Sequence, residues 1–226
     1  SIVLLNKGWN TMIILFMSSV VFCGITLVFQ NGYHMKTLAA VISVVLVVIL
    51  IGVLIMFVVG KGHLWGYNEL DFYEENAMYL STNLNLNLRQ ITVCGMIWGL
   101  LGAIMDTSIA ISTAVNEVAV NNPQFKSKQL FLSGMNVGKD ILGTTINTLF
   151  FVGAGEAVML VLLYQTQKYS LTEILNAKSF LQEVSMILIS CIGCLMIIPI
   201  TAMLFSKLWG NEKIKSYLEK IERRHT

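Results

Sequence analysis

Residues 38–60 form an apolar stretch interrupted by a single hydroxyl, Ser43, and Val44–Val59 is apolar on every face. A run of this kind is longer than the about 20 residues that carry a helix across a ~30 Å hydrocarbon core. A spanning strand would need only about 10 residues, alternating polar with apolar, so the pattern demands a helix whose backbone satisfies its own hydrogen bonds. Comparable stretches occur at Thr11–Gln30, Ile91–Thr113, Ile141–Tyr164 and Val184–Leu204. With their polar flanks the spans are expected at about 11–30, 38–60, 91–117, 140–164 and 181–206. Of 226 residues 55% are hydrophobic and 12% charged, too little polar surface for a water-soluble particle. The expected fold is all-α: one polytopic membrane domain of about five transmembrane helices, with a short amphipathic elbow helix between two of them. The lipid bilayer is its first partner, and a net charge of +2 gives no reason to expect nucleic acid.

Lys and Arg in short connecting segments are retained on the cytoplasmic side. Lys207, Lys213, Lys215, Lys220, Arg223 and Arg224 follow the last span, which places the C-terminus in the cytoplasm. Counting back, the Lys126/Lys128 segment is also cytoplasmic, and Lys61–Arg89, with Glu69, Asp71, Glu74 and Glu75, faces outward. Ser1 then falls outside, which is awkward for a chain with no initiator Met and no leader, so further helices are expected before it. Trp9, Trp65, Tyr67, Tyr164, Tyr169 and Trp209 lie near span ends, where amphipathic rings prefer the headgroup level. Leu70, Tyr73, Ala77 and Leu80 recur at helical spacing within Glu69–Asn87, which suits either a surface helix or an ordinary loop.

Cys23, Cys94, Cys191 and Cys194 all sit in apolar segments. Two thiols three residues apart on one helix do not easily close a disulfide, so Cys191 and Cys194 read as buried structural thiols. His34, His63 and His225 are scattered, and no metal or other cofactor is expected. Pro199 is expected to kink the last helix.

Polar residues enter the membrane in a pattern between Gly95 and Tyr164. Asp106, Thr113 and Glu117, spaced by seven and four, share one helix face, with Gly95, Gly99 and Gly102 available for close packing. Asp140, Thr144 and Asn147, spaced by four and three, share a face of the next helix, beside Lys139. A carboxylate at mid-span costs roughly 2.5–3.5 kcal/mol and asks for a function or a partner. The two stripes are therefore expected to face each other, forming a polar seam with Asn122-Pro123-Gln124 as the turn and Ser127–Met135 as the elbow helix. Asp106 can equally be a buried structural ion pair, and the Thr144 hydroxyl can be spent on its own backbone. Glu156 lies nearly opposite Asp140 round its helix, which leaves its neighbour open.

The run Gly102-Ala-Ile-Met-Asp106, Ser112, Asn116-Glu117, Asn122-Pro123, Leu130-Phe131, Ser133-Gly134-Met135-Asn136, Gly138-Lys139-Asp140, Gly143-Thr144 and Asn147-Thr148 resembles the YibE/YibF-like family of bacterial multipass membrane proteins. The resemblance is densest over about residues 95–165 and covers most of the chain. It implies a bacterial cytoplasmic-membrane location and further hydrophobic segments before Ser1, while Glu156 departs from the family pattern. The order Gly-x-x-x-Asp106, Glu117, a connecting helix and Thr144-Thr145-x-x-Thr148 also looks like the helix–elbow–helix of resistance-nodulation-division transporters and SecD/SecF proteins. That likeness implies a proton-binding Asp106 with Lys139, Asp140, Thr144 and Asn147 as partners.

Enzyme motifs are missing: neither Tyr-Asp with Gly-x-Gly-Asp, nor Gly-x-Ser-x-Gly with a membrane His, nor a phosphate-binding Gly-rich loop occurs. The sequence therefore points to a permease of unknown substrate, proton-linked through Asp106, Asp140, Lys139, Thr144, Asn147 and Glu117. A scaffold, receptor or accessory subunit of a larger membrane complex is the alternative, with another membrane subunit or a second copy of the chain as partner.

Overall fold

The computed structural model describes residues 11–62 and 88–210. Their elements are helices α1 (Thr11–Asn31), α2 (Met35–Lys61), α3 (Leu88–Asn121), α4 (Ser127–Thr166), α5 (Leu171–Asn176) and α6 (Lys178–Trp209). Four of them, α2, α3, α4 and α6, are long and apolar enough to cross a membrane, and α1 is a shorter apolar helix. The chain is thus an all-helical membrane protein. The surface helix weighed for Glu69–Asn87 and the basic tail beyond Gly210 lie outside the described residues.

Helix ends follow local chemistry. α1 stops where Gly32 takes a φ of 70° and donates to the Val28 carbonyl at 2.8 Å, a left-handed cap that glycine adopts without steric cost. The α3–α4 turn is held by Asn122, whose side-chain amide donates to the Val118 carbonyl at 3.1 Å, and by Gln129, which accepts from the Lys126 N–H at 2.9 Å. The expected elbow helix at 127–135 is present as the opening turns of α4, continuous with the span that follows. No residue between Ser127 and Thr166 breaks the backbone ladder, since Gly134, Gly138 and Gly143 cost helix propensity without removing a hydrogen bond. α6 likewise runs on through Pro199.

The helices divide into two compact units, and each long helix gives part of its length to both. One unit gathers the described residues within 1–19, 51–99 and 147–191, and the other those within 20–50, 100–146 and 192–226. In the second unit Ala40, Val44, Ile104, Ile111, Val115, Ile198, Ala202 and Phe205 are buried. In the first, Tyr164, Ile174 and Ala177 form a cluster under the α4–α5–α6 turn. Burial is uneven along the chain: 56% of the most apolar stretch of α3 is enclosed, against 6% of that of α4. Phe29, Val53, Phe57, Phe150, Phe151 and Met159 are exposed, as suits side chains that meet lipid tails.

Candidate functional site

Where α3 meets α4 is set by one glycine. A Cβ placed on Gly134 would come within 2.9 Å of the Val115 side chain on α3 and 2.7 Å of that of Ala202 on α6. One turn on, a Cβ at Gly138 would overlap Ile198 of α6. Gly134 and Gly138 are buried and define the inner face of α4, and Val115 is the matching point on α3.

This contact fixes where the polar stripes point. Asp106 is nine residues from Val115 (115 − 106), or about two and a half turns at 3.6 residues per turn, hence on the opposite side of α3. Gly143, between Lys139 and Asn147, is nine residues from Gly134 (143 − 134) and on the opposite side of α4. The stripes therefore turn away from the contact between their helices, and the expected seam between them is corrected. Its error was to assume that polar faces of consecutive helices pack inward, whereas small side chains make this contact and the polar ones lie outside. Asp106, Glu117, Lys139, Asp140, Thr144 and Asn147 are all exposed. No hydrogen bond or ion pair joins Asp106 to Lys139 or Asp140 among the described residues. Asp106, Glu117, Lys139, Asp140 and Thr144 share one unit, whereas Asn147 opens the other's portion of α4. The Thr144 and Thr145 hydroxyls both donate to the Ile141 carbonyl, at 2.8 and 3.1 Å, so each spends its proton on its own helix.

The inward face of α3 carries hydroxyls instead. Ser108 Oγ lies 3.3 Å from the Ala40 carbonyl of α2, to which it donates, and 3.0 Å from Thr201 Oγ1 of α6, with which it shares a hydrogen bond of either direction. Ser112 donates to the Ser108 carbonyl at 2.8 Å, and Ser43 of α2 to the Ala39 carbonyl at 2.6 Å. These groups tie three helices together inside one unit. Sequence reasoning passed over them because a lone Ser in an apolar run carries no charge, although Ser108 and Ser112 do repeat at helical spacing.

A second arrangement was missed altogether. In the other unit a small cleft of about 110 Å³ is lined by Gly99 of α3, Gly153 and Glu156 of α4, and Glu183, Met186 and Ser190 of α6, among others. A Cβ at Gly99 would overlap Met186 and one at Gly153 would overlap Ile187, so these two glycines let the helices close round the space. Glu156 and Glu183 both face it and are near enough for their charges to interact. Ser190 is buried and donates to the Met186 carbonyl at 2.8 Å, leaving its oxygen able to accept. Two carboxylates beside one cavity inside membrane-crossing helices can hold a proton or a small cation between them, because either relieves their repulsion. The signal was present in the sequence: Glu183 is the only acidic residue of α6. It stands just before the apolar run Val184–Leu204, at the edge of the expected span. Glu156, whose neighbour the sequence left open, turns toward α6 because it lies close to Gly153 round the helix.

Cys23, Cys94 and Cys194 are buried as thiols among helices, as their apolar setting predicted, whereas Cys191 is only partly buried. In comparison with known proteins, the model of the YibE/F-like protein family matches residues 1–211. No curated protein and no solved structure matches the chain, and the likeness to resistance-nodulation-division and SecD/SecF proteins rests on motif order alone. With nearly its whole length matched and the dense central motifs in place, the chain belongs to the YibE/F-like family.

Proposed function

We propose that this protein is a proton-linked permease of the bacterial cytoplasmic membrane, its C-terminus in the cytoplasm, with Glu156 and Glu183 as the carboxylates that take up and release the proton. One observation carries the reading: both acids line the same cleft between membrane-crossing helices, Glu183 half-buried and Glu156 at its exposed edge. A cavity of about 110 Å³ has room for ordered water, which needs at least roughly 10–15 Å³ of such volume. Helix movement that narrows the cleft brings the two carboxylates together and favours a proton between them; movement that widens it lets water separate them and release the proton. The substrate is set by contacts the cleft makes in its open state.

The test uses the protein reconstituted in vesicles carrying an internal pH dye, under an imposed pH gradient. Glu156→Gln and Glu183→Gln keep shape and remove titration, and each is expected to reduce proton flux at least tenfold with helix content unchanged. Undiminished flux in both variants, or none in the unmodified protein, would defeat the proposal. The accessory-subunit reading draws support from the exposure of all six sequence-nominated polar residues, which suits a surface that meets another membrane protein. Flux separates the two readings, because an accessory subunit conducts nothing alone.

A further inference from the structure

Helices α3 and α4 carry glycines of two kinds. Gly134 and Gly138 are filled from within the chain by Val115, Ala202 and Ile198, whereas a Cβ at Gly102 or Gly143 would meet nothing within 4 Å. Packing among the described residues thus gives no reason for a missing side chain at the second pair. Gly95 and Gly155 are open as well, but Gly102 and Gly143 lie on the outward faces of the unit that holds the α3–α4 contact, Gly102 one turn from Asp106 and Gly143 one turn from Lys139. Each outward face therefore joins a gap that permits close helix approach to charges that lipid does not tolerate: Asp106 on α3, and on α4 Lys139, opposite in sign, with Asp140 beside it.

Their depths also agree. Asp106 lies 15 residues before the end of α3 (121 − 106) and Lys139 lies 12 after the start of α4 (139 − 127). At a rise of 1.5 Å these are about 22 and about 18 Å from the same connecting turn, a difference that a lysine side chain can bridge. Glu117 and Lys128, nearer that turn on their respective helices, repeat the opposition of charge. Because each face is turned half way round its helix from the α3–α4 contact, the two point in opposite directions. Complementary surfaces on opposite sides of one subunit join parallel copies head to tail in one membrane, as an open row or, where each copy is rotated against the last, as a ring.

We propose that the Asp106 face of α3 in one copy docks on the Lys139 face of α4 in the next, with Asp106 and the partner's Lys139 as an ion pair, and that copies so joined form a head-to-tail assembly of more than two. This assembly does not rest on the permease reading, since it forms whatever the protein conducts.

Photobleaching steps of the full chain, fluorescently tagged at its C-terminus and counted in native membrane vesicles, test the proposal. The unmodified protein is expected to show more than two steps. Gly102→Leu and Gly143→Leu, which have open space inside the monomer, are expected to keep wild-type helix content and give single steps, with at least a tenfold loss of association. Mixed together they are expected to form pairs only, because each retains the face the other lacks. Asp106→Lys should abolish assembly, and Asp106→Lys with Lys139→Asp should restore it. A monomeric unmodified protein overturns the proposal, as does assembly that withstands Gly143→Leu, which would place the contact between α3 helices or elsewhere.

Discussion

The inner and outer faces of α4 are built from the same small set of residues and put to different ends. On the inner face Gly134, Gly138 and Gly153 are occupied by side chains of α3 and α6, so each missing Cβ is replaced by a neighbour's carbon. On the outer face Gly143 has open space, and Lys139, Asp140, Thr144 and Asn147 around it are exposed. Glycine spacing alone therefore does not say which face of a membrane helix is packed. What separates them is the partner: Ala202 and Ile198 offer a surface that leaves room for nothing larger than hydrogen, whereas no described residue fills the space at Gly143.

The largest expected effect breaks this comparison most directly. Gly138→Leu drives a side chain into Ile198 and is expected to destabilise the fold by about 3 kcal/mol, the upper end of overpacking costs. Gly143→Leu, five residues away on the other side, is expected to stay within about 0.5 kcal/mol. Unfolding in mixed detergent micelles followed by circular dichroism measures both, and equal losses would mean that the two faces are not packed differently. Ser108→Ala tests whether the hydroxyls inside α3 contribute as the glycines of α4 do. Removing its bonds to Ala40 and Thr201 is expected to cost about 1 kcal/mol, in line with interhelical hydrogen bonds in membranes.

How much of this was legible follows the same division. The helices could be read from Leu38–Gly60 and its counterparts because a bilayer permits one solution to a long apolar run, and each long described helix contains the stretch that predicted it, whereas the short α5 was not foreseen. The identity of the polar residues was also legible; their direction was not. Asp106 and Asp140 sit on coherent faces, yet whether those faces turn in or out depends on Val115 meeting Gly134, a long-range contact of two unremarkable small residues. Glu183 escaped for a different reason: it stands only five residues into α6, where a charge is ordinarily read as hydrated.

The packed face of α4 ends at Tyr164, eleven residues or about three turns beyond Gly153, and there the comparison can be sharpened at lower energy. The Tyr164 hydroxyl bonds to Ser179 of α6, and its ring meets that of Tyr169 edge-on with centroids 5.2 Å apart. Tyr169 donates to the Tyr164 carbonyl at 3.2 Å and Lys168 to that of Gln165 at 2.9 Å, the two bonds of a Schellman cap. Lys168 holds the left-handed position, with φ 65°, where glycine is usual. Lys168→Gly is expected to stabilise the protein by about 0.5 kcal/mol, the relief of the left-handed conformation less the added freedom of the unfolded chain. A loss of stability in the same micelle titration would show that the lysine side chain contributes more than its backbone costs.

The smallest effect lies one turn further, at the capping box of α5. Ser170 Oγ accepts from the Glu173 N–H while the Glu173 carboxylate accepts from the Ser170 N–H and hydroxyl, each at 2.7 Å. The Ser170 hydroxyl and then its backbone N–H hold the Glu173 carboxyl below its ordinary value of 4.5. Because the folded value is the lower one, the charged form favours the fold: the contribution is complete above the unfolded value and disappears as the pH falls through the folded one. Amide exchange at Ile174, whose N–H donates to the Ser170 carbonyl at 3.0 Å, reports this step once corrected for the intrinsic pH dependence of exchange. Protection is expected to fall on acidification in the unmodified protein and to be lower and flat in Glu173→Gln, which keeps the shape but not the charge. Since the carboxylate is exposed, both differences should shrink in high salt, whereas the Gly138 and Gly143 results should not respond to salt at all. A Gly143→Leu penalty that appeared only at low salt would instead implicate the charges beside it.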